Sequence, residues 1–238
     1  MRMRENINNP KTKEMQLSCI SSNSKTIQSV DFTTDCPKRR NGNACKYCYV
    51  EDAREMGFNA KKVINYTKYN NEVLKFSEKK IEKLNAIGGL RLFSFGDYMP
   101  EHYNDVKQLL DDALIKNLKI KAITKVPEFV IKFANHPAIS VIHVSVDNVE
   151  DGMDIEVAKL LKVVYSKVKI RTVVMRDEDI EAVKFADVFT FNHAKMLKKK
   201  YGYKKYNKVE VAEWNEKLNG RVCCSTGTCA TCNLKCSV

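Results

Sequence analysis

Six short runs of apolar and β-branched residues recur along this chain, separated mostly by segments with helical periodicity, and no other feature narrows the fold as far. Ile27 to Thr33 (IQSVDFT) alternates and ends at Thr34-Asp35, and Leu90 to Phe95 (LRLFSF) ends at Gly96-Asp97. Ile120 to Thr124 stops at Lys125-Val126-Pro127, Ile139 to Val146 (ISVIHVSV) at Asp147-Asn148, Val168 to Met175 at Arg176-Asp177, and Val188 to Phe191 at Asn192-His193. Each strand-like run therefore ends on polar residues. Between them, Val106, Leu109, Leu110, Ala113 and Leu114 share one helical face, and so do Val157, Leu160, Leu161 and Val164. Asn71 to Asn85, rich in Lys and Glu, reads as a solvent-facing helix. Strand followed by helix, repeated, predicts an α/β fold with a parallel sheet and crossover helices. Six units are too few for the closed eight-stranded barrel, which leaves an open partial barrel or a doubly wound sheet. In both, ligands bind at the carboxyl ends of the strands. The polar residues that end the strands are thus the first candidate site, although polar residues also end strands for turn-forming reasons alone.

With 238 residues and 44% hydrophobic content, the chain is sized for one folded domain and is unlike a disordered tail, a collagen repeat or a small disulfide scaffold. Its formal charge of +12 predicts attraction to an anion, whether nucleic acid, phosphorylated metabolite or acidic protein. The opening Met1-Arg2-Met3-Arg4 is basic, but Glu5 through Ser24 holds no continuous apolar stretch to serve as a signal core, and no later run approaches a membrane span. A cytoplasmic protein without a membrane partner is expected, and in a reduced compartment nine cysteines point to metal or cluster ligation before disulfides.

Three of these cysteines follow the first run, in DCPKRRNGNACKYCYVEDAREMG. Cys45 and Cys48 have the C-x2-C spacing that brings two thiolates to one metal centre, and Cys36 can fold back across the Asn41-Gly42-Asn43 turn. Three ligands leave a structural zinc site unclosed, whereas three thiolates on a cubane leave one iron open to a substrate or cofactor.

These cysteines, Tyr47 just before the third of them, and the run of six βα units resemble the radical S-adenosylmethionine (SAM) superfamily, over roughly Ile27 to His193. The resemblance implies an open (β/α)6 partial TIM barrel in which Cys36, Cys45 and Cys48 hold a [4Fe-4S] cluster and SAM chelates the fourth iron. One electron then cleaves SAM to methionine and a 5′-deoxyadenosyl radical that abstracts hydrogen from a substrate, such as a nucleic acid or peptide. It also implies a flavodoxin or ferredoxin-type reductant as partner. By the same resemblance Tyr47 packs near the adenine, Gly96 and Asp97 stand where the family's Gly-Gly-Glu-like motif meets the SAM amino group, and Lys125, Ser145, Asp147, Arg171 and Asn192 lie at the mouth among cofactor-binding positions. The first gap departs from the family's commonest C-x3-C-x2-C. Here it is C-x8-C, an expansion also found in small phage-associated and photoproduct-lyase-like members, and Cys19 is the substitute should Cys36 not ligate.

Residues 1–194 are read as this core, and residues 195–238 as a basic segment with a cysteine-rich C-terminal extension. In the extension, Cys224, Cys229, Cys232 and Cys236 follow C-x4-C-x2-C-x3-C, with Cys223 spare or replacing Cys224, a spacing that suits an auxiliary iron-sulfur cluster or a zinc knuckle equally. A competing reading joins Cys45 and Cys48 to Cys229 and Cys232 around zinc, in a nucleic-acid-binding module without catalysis. Lys195 to Lys208 adds seven Lys and three Tyr with no acidic residue, a composition that suits phosphate neutralisation and base stacking, although such a run is also an ordinary solvated face. Of the four histidines, His193 alone follows a strand end.

Overall fold

The computed structural model of the chain describes residues 18–23, 27–33, 35–41, 67–94, 96–146, 153–191, 202 and 204–222. They build a seven-stranded sheet whose strands lie side by side in chain order: β1 (Ile20–Asn23), β2 (Ile27–Val30), β3 (Leu90–Leu92), β4 (Ile120–Thr124), β5 (Ile139–Ser145), β6 (Val168–Val174) and β7 (Val188–Phe191). β1 runs antiparallel to β2, and every other neighbouring pair is parallel. The fold is α/β with a mostly parallel sheet, as the alternation predicts, and β2 to β7 are the six runs read from the sequence. The strand order never reverses, which excludes the doubly wound alternative, since that arrangement requires a switch point. β1 is an addition. Its Ser21, Ser22 and Asn23 hide it as a strand, and it exists through pairing, with Ile20 opposite Val30.

The helices are α1 (Pro37–Arg40), α2 (Glu78–Ala86), α3 (Tyr103–Ile115), α4 (Pro127–Phe133), α5 (Ile155–Val164), α6 (Asp179–Ala182) and α7 (Lys208–Lys217). Local chemistry starts several of them. Pro127 opens α4, where its missing N–H costs nothing. The Asp154 carboxylate accepts from Val157 N at the head of α5, and Asn207 and Glu210 form a reciprocal capping box on α7. The single helix expected over Asn71 to Asn85 is instead a 3-10 turn, Glu72–Lys75, followed by α2. Phe76 and Ser77 take extended conformations and interrupt it, and Val73, Ile81 and Leu84 are buried.

Register assigns the strand residues to two faces. Leu90, Leu92, Ile120, Ala122, Ile142, Val144, Val168, Ile170, Phe189 and Phe191 lie on the face that packs, in one hydrophobic core, with Val106, Leu109, Leu110 and Ala113 of α3, Phe129 and Val130 of α4, and Ala158 and Leu161 of α5. Each such buried Leu, Ile or Phe contributes roughly 1.5–3 kcal/mol. Periodicity predicts α3 well, with only Leu114 left half-exposed at the rim. It misplaces α5, where Leu160 and Val164 are 62% and 60% exposed and the helix sits on the core through Ala158 and Leu161, with Ile155 packed beside them. A 3.6-residue period shows which residues share a stripe, not whether a neighbour covers it.

The chain after β7 returns to the sheet. α7 precedes an isolated parallel bridge between Val222 and Phe189, and Phe189 N donates to Arg221 O at 2.9 Å. Tyr206, buried, packs edge-on to Phe191 and donates to Asp177 Oδ1 at 3.0 Å. Among the described residues no helix is long and apolar enough to cross a membrane.

Candidate functional site

Three segments meet at the carboxyl edge of β2, β3 and β4. The chain leaving β2 reaches Cys36, which is partly exposed and immediately precedes Pro37 at the start of α1. Its N–H donates to Asp35 Oδ1 at 2.9 Å and its carbonyl accepts from Arg40 N at 3.0 Å. The Arg40 side chain returns to Asp35 at 3.2 Å and crosses to Glu101 at 2.6 Å, so the cysteine segment is tied to the loop that follows β3. Gly96 completes the join. A Cβ at this position would lie 2.2 Å from Thr33 O and 2.6 Å from Asp35 O, and Asp97 N donates to Asp35 O at 3.0 Å. The close backbone approach that Gly96 permits is therefore an approach to the cysteine segment of its own chain.

Asp97 holds the third segment. Its Oδ1 accepts from Tyr98 N at 2.7 Å and from Thr124 Oγ1 at 2.5 Å, and its Oδ2 accepts from Lys125 N at 2.7 Å. Burial pushes this carboxyl up to about 6, against the opposing pull of the three hydrogen bonds. A carboxylate offers about four acceptor positions, so Oδ2 retains capacity for one more donor. Just before this loop, Phe93 has a φ of 62°, a left-handed conformation uncommon for a bulky side chain. The turn sends the Phe93 ring against Phe129 of α4 and presents Ser94 N to Asp31 Oδ1 at 2.5 Å.

Gly96, Asp97 and Lys125 are thus brought together, and Cys36 joins them through its neighbour Asp35. Ser145 and Arg171 are register partners on β5 and β6, at the same edge as Lys125. Ser145 is buried, and Arg171 Nε donates to Thr190 Oγ1 at 3.2 Å. Tyr47, Cys45, Cys48, Asp147, Asn192, His193, Cys223, Cys224, Cys229, Cys232 and Cys236 lie outside the described residues, and so do Tyr201 and Tyr203 of the basic stretch. Among the described residues no group of three or more His, Cys, Asp or Glu has the arrangement of a metal site. Cys19 is buried with its Sγ 3.8 Å from a Glu72 carboxylate oxygen, and burial followed by that negative charge raises its pKa, so its thiol stays protonated. Lys204 pairs with Asp177 and Glu210, and Tyr206 is held in the core, so its ring does not face solvent to stack on a base. His102, buried and stacked on Phe32, is pushed down to about 4 by burial and stays neutral.

Reading strand ends alone misses the second face of the sheet. Register places Ser29, Arg91, Lys121 and Val141 on it in one row, and Ile123, His143 and Lys169 in the next, at the level reached by Asp31. Ser145, Arg171 and Val188 follow, with Thr190 beyond. Val141 is buried but lies outside the hydrophobic core, as expected for the opposite side of the sheet. The signal was present in the sequence. Parallel strands covered on both sides read as continuous apolar runs, whereas LRL, IKAIT and VKIRTVV alternate apolar with basic. Compared with models of known protein families, with curated proteins and with solved structures, the chain shows no significant match.

Proposed function

We propose that this chain is a radical SAM enzyme built on an open (β/α)6 partial barrel. The observation that carries the reading is the position of Cys36, partly exposed on the segment leaving the first parallel strand, where its neighbour Asp35 is held by Gly96 and Asp97 at the end of the second. Six parallel strands in unbroken chain order, with helices packed on one face and polar side chains on the other, support the barrel-type winding.

The donor chemistry at this edge fits the group. Cys36 would hold one iron of a [4Fe-4S] cluster together with Cys45 and Cys48, and the remaining acceptor capacity of Asp97 suits an ammonium group such as that of SAM. When bound, cluster and SAM supply one-electron cleavage of the sulfonium, with a flavodoxin or ferredoxin-type protein as electron donor. The chain's own residues do the positioning. Asp97 fixes the loop after β3 to the start of the β4 loop, so a ligand bound to one is aligned with the other. Ser145 and Arg171 offer hydroxyl and guanidinium donors one and two strands further on, and the Thr190 hydroxyl orients Arg171. The helix-packed core on the opposite face excludes water from behind the site.

The test is anaerobic purification with iron, sulfide and zinc analysis, followed by an assay for 5′-deoxyadenosine after reduction with SAM. The expected result is about four irons and four sulfides per chain, or about eight of each with an auxiliary cluster in the C-terminal extension. Cys45→Ala is expected to abolish 5′-deoxyadenosine release while the protein keeps its circular dichroism. Zinc without iron, with Cys45→Ala unfolded, would replace this reading by the zinc-stabilised nucleic-acid-binding module.

A further inference from the structure

The segments β2 to β7 contain four formal cations, Arg91, Lys121, Lys169 and Arg171, together with His143, and no Asp or Glu. Register places all five on the sheet face opposite the hydrophobic core. Arg91 lies directly opposite Lys121, so two like charges sit across neighbouring strands, where they repel, and His143 lies opposite Lys169. The carboxylate at the end of β2, Asp31, accepts from Ser94 N.

These cations have different partners. Lys121 Nζ donates to Ile87 O, just past the end of α2, and Arg171 donates to Thr190. Arg91 has one described hydrogen bond, from NH2 to Phe93 O at 3.3 Å, and its buried Nε has no acceptor among the described residues. A buried donor left unmatched costs about 1–3 kcal/mol, and such an exception calls for a water, an ion or a ligand to meet it. The bond to Phe93 O also directs the guanidinium upward, to the level of His143 and Lys169 in the register.

We propose that this face binds the phosphoryl group of a phosphorylated small molecule, with Arg91 and Lys169 as its contacts and Arg171 and His143 flanking it. A dianionic oxyanion satisfies the unmatched Arg91 donor and eases its repulsion with Lys121 at once. The site stands without the cluster, because its residues are on strands and none is a cysteine. As a statement of substrate class it rests on the radical SAM reading.

The experiment is calorimetric titration of inorganic pyrophosphate into the full-length chain at fixed ionic strength, with SAM as competitor. Expected are one saturable site per chain and a loss of roughly ten-fold or more in affinity for each of Arg91→Met and Lys169→Met. Lys79→Met, on exposed α2, is expected to bind as the wild type does. Lys169 is partly exposed, so its variant reads the site even where Arg91→Met fails to fold. Absence of saturable binding, equal weakening in Lys79→Met, unchanged affinity in Lys169→Met, or one-for-one displacement by SAM would each overturn the proposal. The last outcome would assign these cations to the SAM pocket itself. Pyrophosphate binding by an iron-free chain that releases no 5′-deoxyadenosine would defeat the radical SAM reading and leave this site standing.

Discussion

The two faces of one sheet differ more than the sheet's two ends. On the helix side, Leu90, Leu92, Ala122, Ile142, Val144 and Ile170 are at most 1% exposed and share a single core with α3, α4 and α5. On the other side the same strands present Ser29, Arg91, Lys121, His143, Ser145, Lys169 and Arg171. Because side chains alternate along a strand, one backbone serves both purposes. Apolar burial is concentrated on one side and polar groups on the other, so substitutions on the two faces should separate effects on folding from effects on the proposed binding.

The largest expected effect is on the apolar side. Leu110→Ala, at a fully buried position of α3, should lower unfolding free energy by about 2–5 kcal/mol, whereas Lys169→Met on the polar side should stay within roughly 0.5 kcal/mol of wild type. Comparable losses in denaturant melts of both variants would erase the contrast. At the edge where both faces end, Gly96→Ala should cost roughly 1–3 kcal/mol, since its Cβ would meet two backbone carbonyls that cannot rotate away. It should also disturb the Cys36 segment, so iron content after reconstitution should fall together with the melting midpoint.

The smallest effect concerns pH. The Asp97 carboxyl titrates near 6 in the folded chain against an ordinary value of 3.8, so between about pH 4 and pH 6 the folded form binds a proton that the unfolded form has released. Asp97 therefore subtracts stability as pH rises through that window. Denaturation midpoints of Asp97→Asn, measured at several pH values, should fall less steeply across it than those of the wild type. Parallel curves would mean that Asp97 is not the buried acid described.

The sequence announces the six parallel strands because alternation between strand and helix patterns is a local property, visible in the apolar runs at Ile120 and Val168 as readily as in a structure. What escapes it depends on neighbours. β1 is a strand only because β2 lies alongside, and the apolar stripe of α5 faces outward because nothing described packs over Leu160 and Val164. Gly96 and Asp97 stand out as a strand-end pair, but the spacing carries no sign that the glycine packs against Thr33 and Asp35 or that the carboxylate bridges to Thr124 and Lys125. The cations of β3 to β6 were legible as a violation of the usual apolar pattern of parallel strands, a signal that attention to strand termini overlooks.

A sheet that does not close on itself has two margins open to strand addition by another chain. Here one margin is formed by the four-residue β1, and the other is met by the bridge at Val222, where the Arg221 guanidinium lies 5.2 Å from the Phe189 ring centroid and its NH1 donates to the carbonyls of Lys184 and Ala186. Arg221 thereby pins the Val222 bridge to this margin. Loss of its side chain should expose this margin, and light scattering at increasing protein concentration would then show association that the wild type lacks.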